Sequence, residues 1–519
     1  MTASFTVSRR RFVQGSAALG VAAAAQPRLA WAEWKILRIR SYADLQVLDP
    51  AFRLAQVEDD IFMTCLLGLV QRKTGDKWDW ELQAAESVEQ VDDTHIKFKL
   101  KPGITWSNGF GEMTAEDVKF SYERIADPAN KSPYKDDWAL LDHVEVADKH
   151  SGVIVLKQFF APLWTSTLPE GSCSIVCKKA VEALPEKKFT TEIPAVSGPY
   201  MIKDWKPKQK TVLARNPEWK GEAPYYDEIH IVPIEDEKVA ETGYEAGDLD
   251  FTRLSLATYA RYKMKPPKAS TLVERPSLKY VWLGINVEHP LFQDIRVRQA
   301  VQKAVDVDAI LEAAYFGQAA RATGIIAPGL VGHRDNNLVA RDLEGAKKLL
   351  ADAGKGSGFK TNISVLNKQE YLSAVQVLQA NLAEIGIEAA IDTHDSGTFW
   401  TLGDEKSGDA WKDLQLIYQR FSMNPDPSFA TEWFTSDQVG VWNWQRWRSP
   451  EFDDLHKKAL VEHDLAKRDE TYKTMQDLME KSGAFVFITH EANALIHQEK
   501  VAPALKPDGN VVLAKFKAA

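Results

Sequence analysis

The residues that most constrain the fold lie between 362 and 391. Leu372, Val375, Leu378, Leu382 and Ile385 recur at steps of three or four, so a helix over 371–385 carries one apolar face. Gly386 then supplies the left-handed residue that ends such a helix. Strand patterns flank it at 362–366 and 387–391. Strand, helix, strand at this spacing implies a parallel, right-handed crossover within one sheet. A second helix, over 343–353, stops at Gly354 in the same manner. The second half of the chain is therefore α/β.

The rest of the chain fits the same class. Strand patterns are expected at 36–39, 153–156, 211–214 and 229–234, and an apolar helical run at 61–70. The segment 286–290 reads as a crossover, and the texture beyond it changes to alternating strand and helix. A helical pair, 452–464 and 468–481, leads into a strand at 485–488. There is no internal repeat and no low-complexity linker. At roughly 150 residues per domain, a chain of 519 suggests about three domains.

Residues 1–32 bear on the compartment. Ser8-Arg9-Arg10-Arg11-Phe12-Val13-Gln14 matches a twin-arginine export signal, residues 17–25 form a short apolar core, and Ala30-Trp31-Ala32 ends it in a small-x-small cleavage pattern. A membrane span needs about 20 apolar residues, and Gln26, Pro27 and Arg28 interrupt this one early. No cysteine follows the cleavage pattern, so no lipid anchor is expected there. The expected product is a soluble protein starting near Glu33 in the periplasm of a Gram-negative cell, folded before export by the twin-arginine machinery.

Composition excludes several functions. The net charge of −9 includes that basic signal, and nucleic acid wants a basic face, so no nucleic-acid partner is expected. Three cysteines make no disulfide framework. Cys65 lies in an apolar run; Cys173 and Cys177 either pair after export or stay free and buried, and the reading favours no bridge. His456 and His463 could share a helix face, but their charged helix predicts exposure, and His490-Glu491 with His497 has the wrong interval for a zinc protease. No metal and no cofactor is expected. Nucleophile-elbow, phosphate-loop and dinucleotide motifs are absent, which argues against an enzyme.

Residues 93–125 carry a resemblance. The alternation His95–Leu100 predicts a half-buried strand, Pro102-Gly103 a turn, and Thr114 three residues before Asp117 a capping box opening a helix over 115–125. The wording of this stretch resembles the signature of extracytoplasmic solute-binding protein family 5, the dipeptide, oligopeptide and nickel class that feeds ABC importers. Further matches follow in order: Leu48-Asp49-Pro50; Ser197-Gly198-Pro199-Tyr200 with Arg215-Asn216-Pro217 and Trp219; the run from Asp294 to Ala300; Asn424-Pro425-Asp426-Pro427; and Pro450 to Asp453. The resemblance implies an α/β, two-lobed periplasmic binding protein fold (type II, cluster C) with an extra domain inserted in the first lobe and a hinged cleft between lobes. Its bounds are lobe I over 33–80, the insert over 81–196, lobe I again over 197–285, lobe II over 286–489 and a lobe I return over 490–519. The chain would cross near 284–288 and return near 489–493. The implied function is capture of a small peptide or peptide-like solute for ABC permease subunits in the inner membrane, as a monomer and without catalysis. An oligosaccharide, an opine-like conjugate or a metal complex stays open as ligand, as does an exported enzyme as a rival class.

The resemblance also nominates site residues. Peptide-binding relatives anchor the ligand's free amine on an Asp where this chain has Met423, and often carry Glu-Gly-Leu where it has Leu67-Gly68-Leu69. Recognition of a free amino terminus is then in doubt unless another carboxylate substitutes. Beside Met423 stand Arg420, Phe421 and Asn424. Arg420 either forks onto a carboxylate or phosphate or is exposed or structurally paired. Lys368 falls near a cation for the ligand's carboxylate, or is a solvated surface lysine. His490 and Tyr134 fall near ligand-touching aromatics. Alternation in a strand would put Trp442 and Trp444 on one face for stacking, with at least one of the two expected to pack in the second lobe.

Overall fold

The computed structural model describes residues 35–519; the export signal expected over 1–32 lies outside them. In Ile36–Ser41 the apolar residues alternate, burying Leu37 and Ile39. This strand is central in a seven-stranded mixed sheet, ordered Tyr200–Lys206, Lys210–Arg215, Glu228–Pro233, Ile36–Ser41, Phe251–Leu254, Ala492–Gln498 and Ser270–Pro276. A second, five-stranded sheet runs Ile387–His394, Phe359–Leu366, Leu416–Ser422, Lys279–Ile285 and Phe485–Thr489. The two sheets are the cores of two lobes.

The expected strand–helix–strand unit is present: Phe359–Leu366 and Ile387–His394 pair in parallel across the helix Gln369–Ala383. Gly386 has φ +83°, and its carbonyl lies where a Cβ on Gly358 would come within 1.8 Å, so both turns depend on glycine.

Two boundaries differ from expectation. The strand Lys279–Ile285 pairs with Leu416–Ser422 and Phe485–Thr489, so the chain crosses between sheets at 277–278 and not near 284–288. The segment 286–290 is punctuation after a buried central strand: Trp282, Leu283 and Ile285 are fully covered. The apolar run at 61–70 is also not one helix. The helix is Gln56–Cys65, and Val70–Arg72 is already a strand.

A four-stranded antiparallel sheet, Ala85–Gln90, His95–Leu100, Ser151–Leu156 and Leu141–Val146, carries the inserted part with the helix Ala115–Ala126. Its apolar side chains (Phe98, Tyr122, Ile154) join those of the first sheet (Leu37, Ile231) in one continuous core. The second lobe has separate cores around Leu283 and around Trp282. Asp49 explains the Leu48-Asp49-Pro50 landmark: wholly buried, it takes a two-pronged ion pair from Arg124 at 2.7 and 2.9 Å and so ties the start of the chain to the insert's helix. At the other end of that helix the Asp117 carboxylate accepts the Thr114 N–H at 2.8 Å and the Lys178 N–H at 2.9 Å. Asp117→Ala is expected to cost about 1–2 kcal/mol, read by urea unfolding.

Candidate functional site

The strand Leu416–Ser422 sorts its side chains to two faces. Tyr418, Arg420 and Ser422 fall on one; Gln419 and Phe421 fall on the other. Its pairing partner Lys279–Ile285 adds Lys279 and Val281 to the first face and Tyr280 and Trp282 to the second.

The first face is cationic. Arg420 is half-buried and has no ion pair, side-chain hydrogen bond or ring contact among the described residues. Its charge reaches Lys279, whose ammonium burial pushes below the usual range despite Glu491 at 3.3 Å. It also reaches Tyr371, whose hydroxyl burial and then Glu491 push up. Lys368 is exposed and stands 5.6 Å from the Tyr371 ring. Two carboxylates, Glu491 and Glu370, thus share a neighbourhood with three cations.

The second face is aromatic. Phe421 has Trp282 at 5.0 Å, Trp442 at 5.9 Å, Trp400 at 6.2 Å and Trp433 at 6.5 Å between ring centroids. Trp400, Phe421, Trp433 and Trp442 are each half-buried, leaving flat apolar surface uncovered. Trp400 and Trp433 were not singled out from the sequence. For Trp433 the nearby Asn424–Pro427 landmark could have served as a flag; Trp400 had no such signal.

Other nominated residues have structural work. Trp442 and Trp444 do not share a strand face, because 441–445 is a turn wrapped on Asn443. The Asn443 amide, wholly buried, donates to the carbonyls of Phe434, Thr435 and Trp447 at 3.0, 3.2 and 2.8 Å. Trp444 is core, packed against Phe399 and over Gly403, where a Cβ would meet the indole. Met423 is 5% exposed, sits in the apolar cluster with Tyr280 and Phe485, and donates its N–H to the Leu278 carbonyl at 2.9 Å. It is a packing residue where an amine anchor was sought. His490 is buried at the second crossing with Nδ1 3.1 Å from the Lys279 carbonyl, and burial holds its imidazole down at about 4. Asn424 is exposed. His456, expected in solvent, is partly covered and bonds Thr431 at 2.9 Å.

Tyr134 belongs to the insert and packs on the first lobe. The Arg53 guanidinium lies 3.4 Å from its ring centroid, its hydroxyl donates to the Arg53 carbonyl at 3.2 Å, and Arg53 pairs with Asp59 at 2.9 Å. The insert also meets the second lobe. Thr165 Oγ1 donates to the Asp426 carboxylate, the Ala161 N–H donates to the Leu460 carbonyl at 2.9 Å, and Phe159 stacks on His463 at 3.7 Å.

A cavity of about 1070 Å³ lies elsewhere. Asp60, Met63, Arg72, Glu170, Lys506 and Phe516 are among its lining, all from the first lobe and the insert; Leu67 and Gly68 border it too, but none of Tyr134, Lys368, Arg420, Phe421, Met423, Asn424, Trp442, Trp444 and His490 does. Leu67 and Leu69 are buried, and Gly68 is needed because a Cβ there would press the Cys173 sulfur at 2.7 Å. No helix among the described residues is long and apolar enough to cross a membrane.

Comparison with known proteins matches residues 79–441 to the family described as Bacterial extracellular solute-binding proteins, family 5 Middle. The chain is 26% identical over 423 residues to the dipeptide-binding protein of Escherichia coli (strain K12), covering 76% of this chain and 77% of the relative. It is 24% identical over 506 residues to the glutathione-binding protein GsiB of the same strain, covering 94% and 95%. The periplasmic binding protein DppA from Helicobacter pylori, solved with the peptide STSA, superposes with a TM-score of 0.76 at 22% identity, covering 93% of this chain and 98% of that one. With two sheet-cored lobes, an insert fused to the first and the family's match over most of its length, this chain belongs to the bacterial extracellular solute-binding proteins, family 5.

Proposed function

We propose that the chain is the substrate-binding component of an ABC importer. It captures a small peptide or peptide-like solute between its lobes and passes it unaltered to permease subunits in the inner membrane. The carrying observation is Arg420, a half-buried guanidinium without an anionic partner among the described residues. Charges taken from water are ordinarily paired, and a carboxylate or similar anion on the solute completes this one. The half-buried rings of Trp400, Phe421, Trp433 and Trp442 add contact at low entropic cost. Relatives named for a dipeptide and for glutathione, and a structural neighbour solved with the peptide STSA, support a peptide-like solute.

Binding that touches both lobes favours the closed arrangement. Export by the twin-arginine route, release into a Gram-negative periplasm as a soluble monomer without a lipid anchor, and the absence of any chemical step complete the reading. Native mass spectrometry of the purified mature protein should show one co-purified solute per chain. Incubation with that solute should raise the unfolding temperature and return the solute unchanged. Conversion to a product would overturn the reading in favour of an enzyme.

A further inference from the structure

The second-lobe wall carries a carboxylate that the reading above leaves unused. Glu432 opens the short turn Glu432–Phe434 and is half-buried, with no ion pair or side-chain hydrogen bond among the described residues. Burial first, then the charges of Asp136, Asp137 and Asp437, push its carboxyl up to about 7. Asp136 and Asp137 lie in the insert's turn Lys135–Trp138, so their effect on Glu432 crosses from one wall to the other. The cation beside Asp137 is committed to the insert's side: Arg53 pairs with Asp59 at 2.9 Å and stands 4.0 Å from Asp137.

A second observation points to a guest. Tyr280 is 1% exposed, its hydroxyl has no hydrogen-bond partner among the described residues, and Glu432 is the charge whose field reaches it. Trp282, wholly buried beside it at 5.4 Å between rings, likewise leaves its indole N–H unpartnered. Buried polar groups are nearly always satisfied. Above them Trp433 and Trp442 meet edge to face at 6.1 Å, both against Phe421.

Resting on the solute-binding reading, we propose that Glu432 anchors a cationic group of the solute, an ammonium or guanidinium, against the rings of Trp433, Trp442 and Phe421, with the Tyr280 hydroxyl in the same subsite. Ring faces and a carboxylate attract a cation jointly. Glu432 then does the work that Met423 cannot, from a position nine residues further along the chain. Arg420 and Phe421 are consecutive near the end of the strand Leu416–Ser422 and point to opposite faces, so a solute that reaches both passes round that strand end, carries its two charges apart and is zwitterionic.

The test uses the mature protein and tetramethylammonium chloride, titrated against sodium chloride at equal ionic strength and followed by tryptophan fluorescence. At pH 8 the wild type should give a saturable change. At pH 5, below the Glu432 value, the carboxyl is protonated and the affinity should fall at least about tenfold; Asp136, Asp137 and Asp437 on the facing elements would then be the remaining acids. Glu432→Gln should lose the response at both pH values, Glu432→Asp should keep it, and Arg448→Ala, at an exposed arginine outside the site, should leave it intact. Equal titrations of wild type and Glu432→Gln, no saturable change in the wild type, or loss in Glu432→Asp as deep as in Glu432→Gln would each overturn the assignment. If these fail while capture of the co-purified solute still depends on Arg420, the Glu432 anchor falls and solute binding stands.

Discussion

Arg420→Ala is expected to weaken capture of the co-purified solute by about 30-fold to a few thousand-fold, measured by calorimetry. Removing one member of a buried charge pair costs about 2–5 kcal/mol, and about 1.4 kcal/mol is a factor of ten. The loss should appear in binding and not in folding, because Arg420 makes no ion pair or side-chain hydrogen bond among the described residues. Arg446, four residues from Trp442, is the wrong control. It is 6% exposed, pairs with Glu288 and Glu405, and lies 4.0 Å from the Trp411 ring; its removal would damage the second lobe itself. Arg448, which also pairs with Glu288 but from an exposed position and with no second carboxylate, is the better comparison. An unchanged affinity in Arg420→Ala would remove this residue from the site.

Asp426→Ala is expected to cost about 3–5 kcal/mol of stability in urea unfolding, the usual result of stranding one buried charge. Asp426 and Arg468 are 0% and 1% exposed at 2.8 Å, and the same carboxylate accepts the Ser428 N–H and hydroxyl at 2.9 and 2.7 Å. Burial alone would raise its carboxyl, but Arg468 and these hydrogen bonds hold it below the ordinary range. Its stabilisation is therefore present above the unfolded value, near pH 3.9, and is lost as the pH falls further through the folded one. Asp426 also receives Thr165 from the insert. Thr165→Ala should leave the Arg468 pair, and most of the stability, in place while loosening the contact between insert and second lobe, which small-angle scattering would register as a larger radius. A fall in stability equal to that of Asp426→Ala would contradict this division.

Much of the fold was legible because periodicity reports local structure. The helix Gln369–Ala383, its glycine stop and the parallel strands beside it follow from apolar spacing and one residue free to take positive φ. The strand Lys279–Ile285 was missed as part of the second sheet because a central strand buried on both sides has no alternation to read. For the site, the sequence pointed to the right stretch of chain and only partly to the right side chains. Arg420 and Phe421 lie on opposite faces of one strand, as alternation requires. The contrast between half-buried Trp442 and core Trp444 depends on Asn443 folding the chain around itself, a tertiary hydrogen-bond pattern with no local signature. Glu432 could not be distinguished from the chain's many other acids until Trp433, Tyr280 and the insert's aspartates were placed around it.

The two connections between the lobes are bonded to each other. Ser277 on the first donates its hydroxyl to the His490 carbonyl on the second at 2.5 Å, and the His490 ring reaches back to the Lys279 carbonyl at 3.1 Å. A pair of straps laced side by side bends about one axis and resists twisting or sliding. In the proposed capture cycle the halves would then return to one mutual alignment on every stroke, and a membrane partner that inspects both rims at once would meet a single, repeatable docking outline.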